Sequence, residues 1–156
     1  MSKTPDALRL DQQLCFALYA ASRAMVRAYG PLLAPLGVTY PQYLVMLVLW
    51  ERDGLSVSQL GERLALDSGT LTPLLKRLEA QGLVTRRRGA DDERVVHLDL
   101  TAAGRALRAK AKAVPAQVAC RVGYDVTREG SLRELAALRE SLLALTRHIE
   151  AGGDGG

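Results

Sequence analysis

The chain has 156 residues, of which 48% are hydrophobic and 24% charged, which suits one compact domain of ordinary size and excludes two large ones. Lys and Arg total 21 against 17 Asp and Glu, a formal charge of +4 that permits a polyanionic partner without requiring one. The longest apolar run, Tyr43 to Trp50, is far shorter than the roughly 18 to 20 residues that cross a bilayer, and Met1 to Gln13 carry Lys3, Asp6, Arg9 and Asp11 where a signal peptide has an apolar core, so a cytoplasmic protein with no membrane partner is expected.

From Leu8 to Tyr29 there is no Gly or Pro, and Leu14, Leu18, Ala21, Met25 and Ala28 recur at spacings of three and four, predicting an amphipathic helix that Gly30 and Pro31 end. A short helical piece is expected up to Leu36, followed by Gly37, and Thr39 with Pro41 reads as the cap and first turn of an apolar helix, Gln42 to Arg52. After a turn at Asp53-Gly54, Ser56 with Gln59 forms a capping box for a helix to about Leu64. Asp67 or Ser68 caps the next helix, which runs to Gln81 and stops at Gly82. Pro73 removes one backbone donor within it and predicts either a distorted first turn or a start nearer Thr72. Leu83 to Arg86 and Val95 to Leu100 read as strands of a hairpin with a charged, mobile tip, Arg87 to Arg94. Thr101 caps a helix reaching the neighbourhood of Val118 with a break at Pro115, placing Cys120 just past it. Ser131 opens a last helix, Leu132 to about Ile149, with Leu135, Leu138, Leu142, Leu143 and Leu145 on its apolar face.

Two short helices joined by a tight turn and followed by a charged hairpin make a winged helix-turn-helix, whose second helix can enter a major groove. Its exposed side offers the hydroxyls of Ser68, Thr70 and Thr72 as donors, with Lys76 and Arg77, a mixture suited to base and phosphate contacts. The hairpin adds Arg86, Arg87, Arg88 and Arg94, and an arginine at its tip beside Asp91 and Asp92 suits a minor groove, where a neighbouring carboxylate pre-orients the guanidinium. Double-stranded DNA is the expected partner. The amphipathic helices at both ends need a surface to cover, and they either build a homodimer or pack on their own domain. The expected fold is mainly α with a small β-hairpin: a winged helix-turn-helix over 37–100, a helical dimerisation region from 1–36 and 101–150, and a disordered tail over 151–156.

Cys15 and Cys120 are too few and too far apart for a disulfide framework of the secreted kind, and neither stands in a CxxC. His97 and His148 have no ligand-type spacing to either, so no metal, cofactor or catalytic set is expected. On the first helix Cys15, Tyr19, Ser22, Val26 and Tyr29 follow steps of four and three and share one face. Tyr29 lies roughly 21 Å from Cys15 along a straight helix, so if thiol and phenol meet, a second subunit supplies one of them. Phenol donors would favour the thiolate, as a peroxide sensor requires; otherwise Cys15 is a small apolar core residue.

The run Leu10-Asp11-Gln12-Gln13-Leu14-Cys15-Phe16-Ala17-Leu18-Tyr19, the run Leu36-Gly37-Val38-Thr39-Tyr40-Pro41-Gln42-Tyr43 and the stretch from Leu66 to Glu79 resemble the organic hydroperoxide resistance regulators, a branch of the MarR family. The resemblance covers about Leu8 to Ile149 and implies a homodimeric repressor that binds an inverted-repeat operator when reduced and releases it when an organic hydroperoxide oxidises Cys15. It implies that Tyr29 and Tyr40 of the partner subunit stabilise the Cys15 thiolate, with Tyr19 a further aromatic beside the pocket, and that Cys120 resolves the oxidised Cys15 across the dimer. An apolar lining from Phe16, Leu36, Val38, Met46 and Trp50 would favour an alkyl hydroperoxide over hydrogen peroxide. The competing readings are a small-ligand-responsive repressor of the same fold with structural cysteines, and a thiol peroxidase, for which no reductant-docking motif accompanies Cys15.

Overall fold

The structure, a computed structural model, describes residues 7–153, and the chain divides into two compact units between Val114 and Pro115. Among the described residues it holds seven α-helices and one two-stranded hairpin, a mainly α architecture. No single helix among them is long and apolar enough to cross a membrane.

A 3₁₀ turn, Leu10–Gln12, precedes α1, Leu14–Leu33. The expectation that Gly30 and Pro31 end this helix is corrected: α1 passes through both for another turn. Pro31 forfeits one intrahelical bond, but the extension buries Leu33 in the core and packs Leu32 and Tyr29 against it, which outweighs a single lost donor. A second 3₁₀ turn, Ala34–Leu36, ends at Gly37, whose φ of +69° favours glycine.

α2, Tyr40–Glu51, is the central helix. Thr39 is the anticipated cap, and it closes a capping box with Gln42 that the sequence reading did not name; Pro41 sits in the first turn, where a missing N–H costs nothing. Gln42, Tyr43, Val45, Met46, Val48 and Leu49 are all buried, because α1, α3, α4 and α5 pack around this helix. α3, Val57–Leu64, starts from the Ser56/Gln59 capping box. α4, Ser68–Ala80, starts from Asp67, so the start nearer Thr72 is not found. Pro73 is accommodated inside α4 because the carbonyl it leaves unbonded belongs to exposed Gly69, which water can satisfy. The stop is a Schellman turn in which Leu83 N–H donates to the Leu78 carbonyl and Gly82 N–H to the Glu79 carbonyl.

β1, Val84–Arg88, pairs antiparallel with β2, Val96–Leu100, in the register Val84↔Leu100, Arg86↔Leu98 and Arg88↔Val96. Leu55 and Ser56 run along the far edge of β2, with Leu98 N–H donating to the Leu55 carbonyl. Asp53 ties this edge down: one carboxylate oxygen accepts from Gly54 N at 2.9 Å and Leu100 N at 2.8 Å, and the other from Arg105 at 3.3 Å. α5, Ala102–Ala111, starts from the Thr101 cap, and Trp50 donates to the Gly104 carbonyl across the core at 2.9 Å.

α6, Val114–Arg121, begins at the boundary between the units, and α7, Glu129–Gly153, belongs to the second. The break precedes Pro115 instead of falling on it, because proline is accepted in a helix's first turn, and Cys120 therefore lies within α6 and not past the helix. α7 begins before Ser131, whose buried hydroxyl accepts from Asp125 N, and runs past Ile149 through Gly153. Residues 151–153, expected to be disordered, are thus helical, and 154–156 lie outside the described residues.

Candidate DNA-reading face and thiol–phenol groups

α4 presents Ser68, Thr70, Thr72, Lys76 and Arg77, all exposed, while Leu71, Leu75 and Leu78 face the core. The hydroxyl protons of two of these are already used within the helix: Thr70 Oγ1 donates to Asp67 Oδ2 at 3.2 Å and Thr72 Oγ1 to the Ser68 carbonyl at 2.7 Å. Both threonines therefore offer lone pairs and methyl groups outward, where the sequence suggested donors. The Thr70 N–H and hydroxyl hold the Asp67 carboxyl below the usual range.

The wing arginines are paired. Arg94, with its side chain 91% exposed, grips Asp92 through Nε at 3.1 Å and Nη2 at 3.2 Å, the carboxylate-held tip arginine anticipated above. That guanidinium holds the Asp92 carboxyl below its usual range. Arg88 donates to the Glu93 carbonyl, Arg87 to Asp99, and Arg86 to Glu79. A cleft of about 1000 Å³ opens between α3, α4 and the wing, lined by Ser58 and Glu62 of α3, Ser68 and Thr72 of α4, and Arg86 and Arg94 of the wing. Tight backbone at the tip fixes its shape: Gly89 N–H donates to the Val95 carbonyl at 2.7 Å, and a Cβ at Gly89 would stand 2.7 Å from the Asp92 carbonyl.

Cys15 is exposed in the first turn of α1. Tyr29 and Tyr40 are brought together at the other end of that helix, with ring centroids 4.8 Å apart, and Tyr43 joins them at 5.7 Å from Tyr29. Burial pushes the Tyr29 hydroxyl up to about 12, with Tyr40 and Tyr43 adding to the shift, and raises the other two as well. All three are therefore neutral O–H donors at physiological pH. Tyr19 stands apart on the exposed face, accepting from Arg23 Nη1 at 2.9 Å. The expected apolar lining is not assembled around Cys15 within one chain: Val38 and Met46 belong to the buried core, whereas Phe16 is exposed. The physical reason is that the N-terminal part of α1 has little covering it, and Leu14, Phe16, Tyr19 and Val26 are all exposed. Cys120 is exposed on α6.

Sequence reasoning passed over Tyr43, which follows Tyr40 by one helical turn and could have been read from that spacing, and Glu79, whose partner Arg86 lies across the Schellman turn and leaves no periodic signal.

The pattern of the MarR family matches residues 38–96, from the approach to α2 to the start of β2. The chain is 54% identical, over 97% of its length and 77% of the relative's, to the HTH-type transcriptional regulator TtmR of Methylorubrum extorquens. It is 54% identical, over 88% of its length and 92% of the relative's, to the organic hydroperoxide resistance transcriptional regulator of Bacillus subtilis. The fold of AbfR of Staphylococcus epidermidis in its reduced, DNA-bound structure matches with a TM-score of 0.72 at 35% identity, over 92% of this chain and 96% of AbfR. The disulfide-formed AbfR matches at 0.62 and 34% identity, over 91% and 95%. The chain belongs to the MarR family, in the branch of the organic hydroperoxide resistance regulators.

Proposed function

We propose that this chain is a redox-sensing transcriptional repressor that binds an inverted-repeat operator as a homodimer when reduced and releases it when an organic hydroperoxide oxidises Cys15. The observation that carries the reading is α1 itself: an unbroken helix with an exposed thiol in its first turn and a pair of neutral phenols near its far end. At 1.5 Å per residue the two are roughly 21 Å apart, so the phenols that meet Cys15 come from a second copy. Exposed Leu14, Phe16 and Val26 on α1, and Leu138, Leu142 and Leu143 on α7, supply apolar surface for that copy, in a dimerisation region read as 1–36 with 101–150. Similarity to AbfR, solved both reduced on DNA and in a disulfide form, supports the same two states here.

The Cys15 thiolate, favoured by hydrogen bonds from Tyr29 and Tyr40 of the partner subunit, attacks the peroxide; the O–O bond breaks, the alcohol leaves with a proton, and a sulfenic acid forms. The Cys120 thiol of the other subunit displaces hydroxide from that sulfur, giving a disulfide and water. The shift at the dimer interface moves the two recognition helices away from one turn of DNA, about 34 to 36 Å. DNA is read by Ser68, Thr70, Thr72, Lys76 and Arg77 in the major groove, with Arg94 in the minor groove and Arg86 and Arg88 at its margin. The relatives named above are transcriptional regulators, and no catalytic turnover is assigned to this chain.

The deciding measurement is fluorescence anisotropy of the reduced protein at fixed salt, on a duplex it has selected from a randomised pool, before and after one equivalent of cumene hydroperoxide. Loss of binding that dithiothreitol restores, and that Cys15→Ser abolishes, is expected. Binding that ignores the peroxide overturns the sensor and directs the search to a small ligand.

A further inference from the structure

Glu79 is a negative charge on the helix assigned to DNA, one turn beyond Lys76 and two residues beyond Arg77. A carboxylate there opposes a polyanion by simple Coulomb repulsion. Its contacts explain what it does instead. Glu79 Oε2 accepts from Arg86 Nε and Nη2, each at 2.8 Å, and Oε1 accepts from the Arg86 backbone N–H at 3.3 Å. The backbone contact follows from the register. Arg86 faces Leu98 across the hairpin, and Leu98 turns its own N–H away to Leu55, so this is a pair whose amides point outward. Arg86 N–H therefore lies on the open edge of β1, and Glu79 is the group that satisfies it. One side chain of α4 thus holds both the backbone and the guanidinium of the wing's first strand, and Arg86 in turn lines the cleft between α4 and the wing.

We propose that Glu79 and Arg86 form a strut that sets the spacing between the recognition helix and the wing, making Glu79 a positioning residue for DNA binding despite its unfavourable charge. The proposal rests on the DNA-binding reading above. Two donor groups of Arg86 and its amide are held by Glu79, so the strut also fixes where this arginine stands at the margin of the minor groove. The carboxyl is held below its usual range by Arg86, so the strut is charged throughout the neutral range.

Charge and geometry predict opposite signs. If Glu79 matters only as a charge, Glu79→Ala tightens DNA binding and Arg86→Lys leaves it unchanged. The strut predicts that each weakens binding of the reduced protein to its selected duplex by about three- to ten-fold, the range for losing a partly exposed charged hydrogen-bond pair. It also predicts a salt slope equal to that of the unaltered chain, because Glu79→Ala removes no cation and Arg86→Lys keeps one at the same position. The double variant should bind no more weakly than the weaker single, since both remove one interaction. Unchanged or tighter binding by Glu79→Ala, or native affinity in Arg86→Lys, overturns the strut. Should the unaltered reduced protein select no duplex at all, the DNA reading falls, and amide hydrogen exchange decides the strut separately. Faster exchange at Arg86 in Glu79→Ala, with the α2 amides unchanged, supports it; unchanged exchange at Arg86 overturns it.

Discussion

At the scale of single residues, the phenols show how burial sets chemistry. Tyr29 has its hydroxyl pushed from an ordinary 10.0 up to about 12, chiefly by burial, which disfavours phenolate. A folded value above the unfolded one means that the stability gained is fully present below pH 10 and is lost as pH rises towards 12. Replacing Tyr29 with Phe should therefore flatten the fall in stability across that window, measured as the urea midpoint against pH. An unchanged slope would show that Tyr29 titrates like an exposed phenol. The threonines of α4 make a related point: their hydroxyl protons are spent on Asp67 and on the Ser68 carbonyl, so what they offer a partner differs from what their residue type suggests.

At the scale of elements, much was legible because capping chemistry is local. Thr39 with Gln42 and Ser56 with Gln59 each satisfy two amides within four residues, and both helix starts follow from the sequence alone. The Asp67 cap of α4 was legible too, although Pro73 left a start nearer Thr72 open; the extension of α1 through Gly30 and Pro31 was not, since it depends on what the helix packs against. The junction of α5 with the wing depends on an approach that no propensity records. A Cβ at Gly104 would stand 2.1 Å from the Leu83 carbonyl oxygen, and Thr101 Oγ1 donates to the Gly82 carbonyl at 2.6 Å in the same corner. Gly104→Ala is expected to lower stability by about 1 to 3 kcal/mol, because backbone meets backbone and neither can turn aside. Equilibrium urea unfolding reads this as a lower midpoint at constant slope; an unchanged midpoint would mean that the corner yields freely.

At the scale of the whole molecule, the apolar residues left exposed define the next level of assembly. Leu138, Leu142 and Leu143 are 42% to 48% exposed on α7, and Leu14 and Phe16 are exposed on α1. Leu142→Glu should shift the chain from dimer to monomer in sedimentation at micromolar concentration, because a carboxylate would be buried without a partner. In Cys120→Ser, the cross-linked dimer formed with cumene hydroperoxide should vanish from non-reducing gels. Persistent cross-linking would assign the resolving thiol elsewhere, and a dimer that survives Leu142→Glu would move the interface off that face of α7.

The order of parts, the helix caps, the Gly82 stop, the charged hairpin and the identity of the thiol and phenols are readable from the chain alone, because each is written in neighbouring residues or in a periodic spacing. That Tyr43 joins Tyr29 and Tyr40, that Glu79 holds Arg86, and that within one chain Phe16 stays exposed while Met46 is buried emerge only once the elements are packed. Those relations join residues on different elements. They follow from packing that buries Leu33 and the inner face of α2, and apolar burial is proportional to area and indifferent to sequence separation, so no local pattern encodes which side chains it brings together.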